Sequence, residues 1–145
     1  MIKSNSGEIS IRGKIPSGFS DRKIKNIILK ALRLSNSTAC SIGLAFVGPA
    51  KMSSYNKLYR NKNKPTDVLS FAYHKSKKSN RDIDGDIIIC PSFVRSDIKN
   101  SDIAYNNQLS RLIIHGILHL SGLDHVTDTE TEIMFNKQEK ILKAL

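Results

Sequence analysis

The chain has 145 residues, a length typical of one domain, and we expect residues 1–145 to form a single domain. Hydrophobic residues make up 39% and charged residues 25% of the chain, proportions that exclude a disordered protein and predict a soluble globular one. No apolar run is long enough to cross a bilayer, so we expect a cytoplasmic protein without a membrane partner. Cys40 and Cys90 stand singly, which predicts two buried thiols and excludes a disulfide framework.

The charge of the chain is strongly positive. A formal net charge of +10 and an isoelectric point near 9.8 are high for a domain of this size. Such a charge favours a polyanionic partner, of which nucleic acid is our first interpretation. A lysine-rich composition spread over solvated faces would give the same total. The basic segment Asp21–Leu34 could instead lie on an anionic membrane, but its apolar stripe suits an ordinary helix facing the core.

The first half of the chain predicts strands alternating with helices. Glu8–Arg12 alternates polar and apolar residues, which is typical of a strand. Ser20 is placed to cap a helix over Asp21–Leu34, where apolar residues recur at helical spacing. Cys40–Val47 predicts a second strand and Ala50–Tyr59 a second helix.

The second half predicts two further strands and three helices. Val68–Tyr73 and Gly85–Cys90 are the apolar runs, joined by a basic connection, His74–Asp84, that we expect to be mobile. The predicted fold is therefore α+β, with one sheet of about four strands and helices packed on it. The predicted helices are Ser92–Lys99, a long one from Ser101 or Asp102 to Leu120, and Thr129–Lys143, capped by Thr127 or Thr129, with Ile133, Met134, Ile141 and Leu142 facing inward.

Three of the four histidines are clustered at the end of the long helix. His115 and His119 lie one turn apart on one helix face, and Gly122 can end the helix so that His125 approaches the same ion. Three imidazoles leave one position of a tetrahedral ion open for water or substrate, which is typical of a catalytic zinc site. We therefore predict one Zn²⁺ per chain, although nickel, copper or iron also accept such ligands.

The spacing of these histidines equals that of the metzincin peptidase motif HExxHxxGxxH. In that motif a glutamate after the first histidine serves as the general base. Gly116 stands at this place in the chain and cannot accept a proton. The sequence thus predicts a zincin-like site geometry but disfavours a metallopeptidase.

Upstream residues could bind an anionic substrate. Arg60 ends the second predicted helix, and its guanidinium offers a planar fork of donors that matches phosphate oxygens. The same arginine could instead only contact the last helix carbonyls. Asp67, after Thr66, could hold Arg60 or a histidine in place, but shaping the local turn is our preferred interpretation. Asp124 could orient a histidine or simply stand in a turn.

The chain contains four motifs: the HGILHLSGLDH segment of 115–125, Tyr59-Arg60, the PTDVLSF segment of 65–71 and Gly85-Asp86-Ile87. Together these motifs resemble the YbeY family, with similarity from about Val47 to the carboxyl terminus. Leu123 departs from the pattern, since the family commonly has an aromatic residue or histidine there. The resemblance assigns His115, His119 and His125 to the metal and Arg60 to activity.

The resemblance implies a bacterial, zinc-dependent, single-strand-specific endoribonuclease. Its implied substrate is the 16S rRNA precursor of the small ribosomal subunit, in 3′-end maturation and ribosome quality control, with ribosomal proteins as further partners. With Arg60 stabilising negative charge at phosphorus, metal-assisted cleavage of an RNA phosphodiester is our hypothesis, and attack by water or by a ribose hydroxyl stays open. The alternative is a non-catalytic assembly factor that binds RNA through its charge and uses the metal to brace a helix.

Overall fold

The computed structural model describes residues 7–73, 82–123 and 126–145, except for the side chain of Cys40. Asp124, His125 and most of the predicted 74–84 connection, with their predicted roles, lie outside the described residues. None of the described helices is long and apolar enough to cross a membrane. In chain order the elements are β1 (Glu8–Arg12), α1 (Asp21–Leu34), β2 (Thr38–Phe46), α2 (Pro49–Arg60), β3 (Val68–Ala72), β4 (Asp82–Ile89), α3 (Pro91–Asp97), α4 (Asp102–Leu120) and α5 (Asp128–Lys143).

The four described strands form one mixed sheet in the order β1-β2-β4-β3. β1 and β4 both pair in parallel with β2, whereas β3 runs antiparallel to β4. The predicted α+β fold, with about four strands in one sheet and helices packed on it, is confirmed. The central strands β2 and β4 supply buried residues such as Ile42, Leu44, Ile87 and Ile89.

Helix α4 is the central helix of the fold and packs against α1, α5, β3 and β4. Its apolar residues from Leu109 to Leu120 are buried because these elements surround them, whereas Ile103 in the first turn is exposed. Ser101 caps its first turn by accepting a hydrogen bond from the Ala104 amide at 3.1 Å. The buried residues of α4 are Leu109, Ser110, Leu112, Ile113, Ile114, Gly116, Ile117, Leu118 and Leu120. The core therefore fixes the position of α4 and, with it, the side chains on the face of α4 that is not buried.

Two strands begin earlier in the structure than predicted. β4 begins at Asp82 rather than Gly85, because the amino-terminal part of the strand continues the parallel pairing with β2. A hydrogen bond of 3.0 Å from the Thr38 hydroxyl to the Asp82 carboxylate accompanies this pairing. The basic and polar composition of residues 74–84 had predicted a connection there rather than part of a strand. β2 correspondingly begins at Thr38, two residues before the predicted Cys40.

Helix α5 confirms the predicted cap but not the whole predicted inner face. The Thr127 side chain accepts from the Glu130 amide and the Glu130 carboxylate accepts from the Thr127 amide, which is a capping box. Ile133, predicted to face inward, is 52% exposed, because the buried stripe follows Met134, Gln138 and Ile141. A polar residue thus occupies the middle of the inner face. Cys90 is buried as predicted.

Gly116 allows α4 to lie unusually close to β4. A Cβ atom at position 116 would stand 2.7 Å from Cδ1 of Ile87 and 2.9 Å from two further carbons of the same side chain. Such distances are shorter than van der Waals contact, so any larger residue would push the helix away from the strand. The absence of a side chain at 116 therefore allows α4, which carries His115, to pack closely against β4.

Gly116→Ala should destabilise the fold by about 1–3 kcal/mol, the range for overpacking a buried site. Alanine is the better helix former by about 1 kcal/mol, so a net loss means that the contact with Ile87 outweighs helix propensity. Urea unfolding followed by circular dichroism measures the difference. Asn107→Ala, on an exposed position of the same helix, is the control and should cause no loss; an equal or higher stability of Gly116→Ala would contradict the packing argument.

Candidate metal centre

One cavity of about 740 Å³ collects side chains from the end of α2, from β3, and from α4 and α5. Arg60, His115 and His119, predicted from separate segments of the sequence, all line it. The cavity is also lined by the polar or charged Thr66, Asp67, Ser70, Gln108, Arg111, Thr131 and Gln138 and by the aromatic or aliphatic Tyr59, Val68, Leu69, Phe71, Leu112, Met134 and Phe135. The cavity therefore joins a pair of imidazoles to cationic and aromatic groups.

The two described histidines lie one turn apart on the face of α4 that borders this cavity. Their ring centroids are 6.4 Å apart, with His115 partly buried and His119 exposed. Within the ranges that the structure describes, no three His, Cys, Asp or Glu side chains are grouped so as to hold a metal ion. The predicted third ligand, His125, lies outside those ranges. A pair of imidazoles at this spacing fits two positions of a divalent transition metal.

Gln138 holds the ring of His115 from the neighbouring helix α5. Its Oε1 lies 3.0 Å from Nδ1 of His115, and its Nε2 donates to the Glu139 carboxylate at 3.2 Å. Because a carboxylate only accepts hydrogen bonds, the Gln138 amide group must turn its nitrogen towards Glu139 and its oxygen towards His115. This orientation of Gln138 favours the tautomer of the neutral His115 ring that carries its proton on Nδ1, which leaves Nε2 as the nitrogen available to a metal.

Glu139 is itself kept ionised by Arg111 on α4. The Arg111 guanidinium lies 3.0 Å from the carboxylate, and both side chains are partly exposed. Burial would raise the pKa of Glu139, but hydrogen bonds from Arg111 and Gln138 outweigh it and lower that pKa below its usual value. A chain of polar contacts therefore runs from Arg111 through Glu139 and Gln138 to His115 and fixes the orientation of the imidazole.

Gln138→Leu should weaken zinc binding roughly 10- to 100-fold, the usual effect of removing the partner that orients a ligand histidine. The substitution keeps the volume of the side chain in the packed stripe of α5. Zinc affinity is measured by competition with a chromophoric chelator. Gln138→Glu retains an acceptor for Nδ1 of His115 and should bind zinc at least as tightly as Gln138→Leu. Equal affinities of Gln138→Leu and the wild type would rule out this positioning role.

Arg60 is the last residue of α2 and is exposed at the edge of the cavity. The helix ends there because Asn61 adopts a left-handed conformation with φ 57°. The ion pairs among the described residues do not include Arg60. A second cavity of about 380 Å³ shares Arg60 and Thr66 and adds Lys62 and Lys64. Arg60 thus lines both the cavity that contains the histidines and the neighbouring cavity that contains the two lysines.

Asp67 shapes the turn before β3, as preferred from the sequence. Its Oδ1 accepts from the Val68 amide at 2.8 Å and from the Thr66 hydroxyl at 3.4 Å. These contacts occupy the carboxylate within its own segment. The alternative, in which Asp67 holds Arg60 or a histidine, is not supported by the hydrogen bonds of the described residues.

The protein is thus an α+β protein whose central helix carries two histidines, and Arg60 lines the same cavity as these histidines. A family model described as Endoribonuclease YbeY matches residues 11–145, and the chain belongs to this family. An Endoribonuclease YbeY of Treponema denticola is 34% identical over 143 residues, covering 96% of this chain and 92% of that protein. One of Thermodesulfovibrio yellowstonii is 40% identical over 126 residues, covering 86% and 76%.

A solved structure has a similar fold. The solution structure of a Thermotoga maritima protein superimposes with a TM-score of 0.68 at 26% identity, covering 93% of this chain and 87% of that one. The arrangement of sheet and helices described above is therefore shared with an experimentally determined protein.

Proposed function

We propose that this chain is an endoribonuclease that cleaves phosphodiester bonds of single-stranded RNA with the help of a divalent metal. Membership of the YbeY family supports RNA cleavage and a role in rRNA processing. The observation that carries the site assignment is that Arg60, His115 and His119 line one cavity of a chain with a net charge of +10. The whole chain acts as one domain, in the bacterial cytoplasm, on the 16S rRNA precursor and the small ribosomal subunit, and further contacts are made with ribosomal proteins.

His115, His119 and His125 would hold the metal, with Zn²⁺ favoured over Ni²⁺ and other divalent ions by the imidazole ligands. A bound zinc ion supplies Lewis acidity that polarises a phosphoryl oxygen. Gln138 contributes by keeping the proton of His115 on Nδ1, at 3.0 Å from its own oxygen. The chain therefore presents its ligand nitrogen without a rearrangement of the ring.

Arg60 would bind the phosphate group that is attacked. Its guanidinium can donate two parallel hydrogen bonds to the oxygens on phosphorus, and it stays charged at any physiological pH. Negative charge grows on these oxygens as the phosphodiester is attacked, so a cation in this position stabilises the transition state more than the substrate. Lys62 and Lys64, which line the adjoining basic cavity, are placed to bind a neighbouring phosphate.

The test is cleavage of an end-labelled single-stranded RNA by the purified chain. We expect cleavage that a chelator abolishes and added zinc restores, with the same sequence in a duplex resisting cleavage. A 2′,3′-cyclic phosphate at the new end indicates attack by the ribose hydroxyl, whereas a plain monophosphate indicates attack by water. His115→Ala, purified in the same way, is the control. If this variant cleaves as well as the wild type, a contaminating ribonuclease is responsible and the assignment fails.

A further inference from the structure

Tyr59 is an exposed aromatic ring that is rigidly supported. Its ring centroid lies 4.6 Å from that of Phe71 and 6.4 Å from that of Tyr55, to which it is nearly parallel. Even so, 57% of Tyr59 is exposed. A ring braced by two neighbours loses little further freedom when it binds a ligand. Tyr59 is therefore a preorganised flat surface at the edge of the cavity.

Two exposed aromatic residues line the cavity together with the positively charged Arg60. Tyr59 directly precedes Arg60, and both line the larger cavity. Phe135, contributed by α5, lines the same cavity and is 56% exposed, although its neighbour Met134 is buried. Leu58 is even more exposed, at 72%, but does not line the cavity. Flat apolar surfaces beside a guanidinium match a ligand that combines planar rings with phosphate.

We propose that Tyr59 and Phe135 stack on unpaired nucleobases on either side of the phosphate that Arg60 binds. This inference rests on the proposed RNA cleavage and specifies how the substrate is recognised. Both faces of a base are covered by its neighbours in a duplex, whereas a base in a single strand can turn out and stack on an aromatic side chain. The two rings would thereby select single-stranded RNA without reading its sequence, because every base offers a flat face.

Binding measurements on Tyr59 variants provide the first test. Tyr59→Leu should bind single-stranded RNA roughly 5- to 100-fold more weakly, as expected for the loss of one stacked base. Tyr59→Phe retains the ring and should bind almost as the wild type does, and Leu58→Ala should be unaffected. Fluorescence anisotropy of a labelled RNA measures these affinities. Equal affinities of Tyr59→Leu and Tyr59→Phe would overturn the stacking role.

A tryptophan reporter tests stacking directly, since the chain contains no tryptophan. The zinc-loaded Tyr59→Trp chain is titrated at low temperature with an RNA octamer, and a gel verifies that the RNA stays intact. We expect its fluorescence to be quenched by the octamer and not by an abasic oligomer with the same number of phosphates. Leu58→Trp is the matched control and should respond to neither.

The outcomes separate this inference from the proposed function. If the RNA binds and is cleaved but the abasic oligomer quenches Tyr59→Trp equally, stacking is wrong while the endoribonuclease function stands. If the labelled RNA neither binds to the wild type nor is cleaved by it, both fail. A response of Leu58→Trp as large as that of Tyr59→Trp would show that the exposed aromatic surface is not specific to the cavity, and would also overturn the inference.

Discussion

Replacing His119 by alanine should reduce RNA cleavage on the order of 1,000-fold, because a bound metal supplies several kcal/mol of transition-state stabilisation. His119 is exposed on α4, and alanine is a good helix former, so the fold should be retained. The measurements are single-turnover cleavage, zinc content and thermal unfolding of the metal-free chain. Zinc binding and cleavage should fall together while the unfolding midpoint stays within a few degrees of the wild type.

The same variant distinguishes an enzyme from an assembly factor with a structural metal. If the ion only braced a helix, the wild type itself would not cleave RNA, and RNA binding by His119→Ala would fall together with the stability of the zinc-loaded chain. Asn107→Ala, on an exposed part of the same helix, controls for the effect of an alanine in α4. Undiminished cleavage by a zinc-free His119→Ala chain would exclude the metal from the reaction.

Arg60→Ala should lower kcat roughly 100- to 1,000-fold, the range for removing one donor that stabilises transition-state charge. Zinc content and unfolding should not change, because Arg60 is exposed at a helix end and takes part in none of the ion pairs of the described residues. Steady-state kinetics with a fluorogenic single-stranded RNA separates kcat from KM.

Two further variants make the Arg60 prediction specific. Arg60→Lys keeps the charge but loses the planar fork, so its rate should lie between those of the wild type and Arg60→Ala. Lys57→Ala removes an exposed cation from the same last turn of α2, at a position that lines neither cavity, and should cleave normally. A similar loss in Lys57→Ala would mean that Arg60 acts only through the overall charge of the surface.

Much of the fold follows from hydrophobic periodicity, and the errors have physical causes. Helical spacing predicted an apolar face of α1 without knowledge of its partners. Leu34, at the end of that predicted face, is 40% exposed, whereas the other five residues are buried: Ile24, Ile27, Ile28, Ala31 and Leu32. The start of β4 could not be predicted in this way, since Asp82 and Asp84 are polar and belong to the strand only through their pairing with β2. Ile133 was misplaced because Gln138, and not an apolar residue, continues the inner stripe of α5.

The site was predictable to the extent that its residues are close in sequence. His115 and His119 follow from helix geometry. Arg60 was a candidate because of its guanidinium at a helix end, and the family resemblance then assigned it to activity. Gln138 is separated from His115 by 23 residues, and its contact exists only because α5 packs on α4. The only signal in the sequence was that Gln138 is a polar residue on an otherwise apolar face of a predicted helix. Such a residue predicts a buried hydrogen bond but does not identify its partner.

The contact between Gly116 and Ile87 limits which new activities this scaffold can acquire by single substitutions. A side chain introduced at position 116 would point towards β4 and away from the cavity. An acidic residue at 116 would therefore enter the core as an unpaired charge, which is strongly unfavourable. Substitution of Ser70 or Thr131 by an acidic residue would place a proton acceptor at the cavity more readily, because these residues already line it from β3 and α5. A new hydrolytic activity in this fold should thus arise by substitution of residues that line the cavity, without changes in α4.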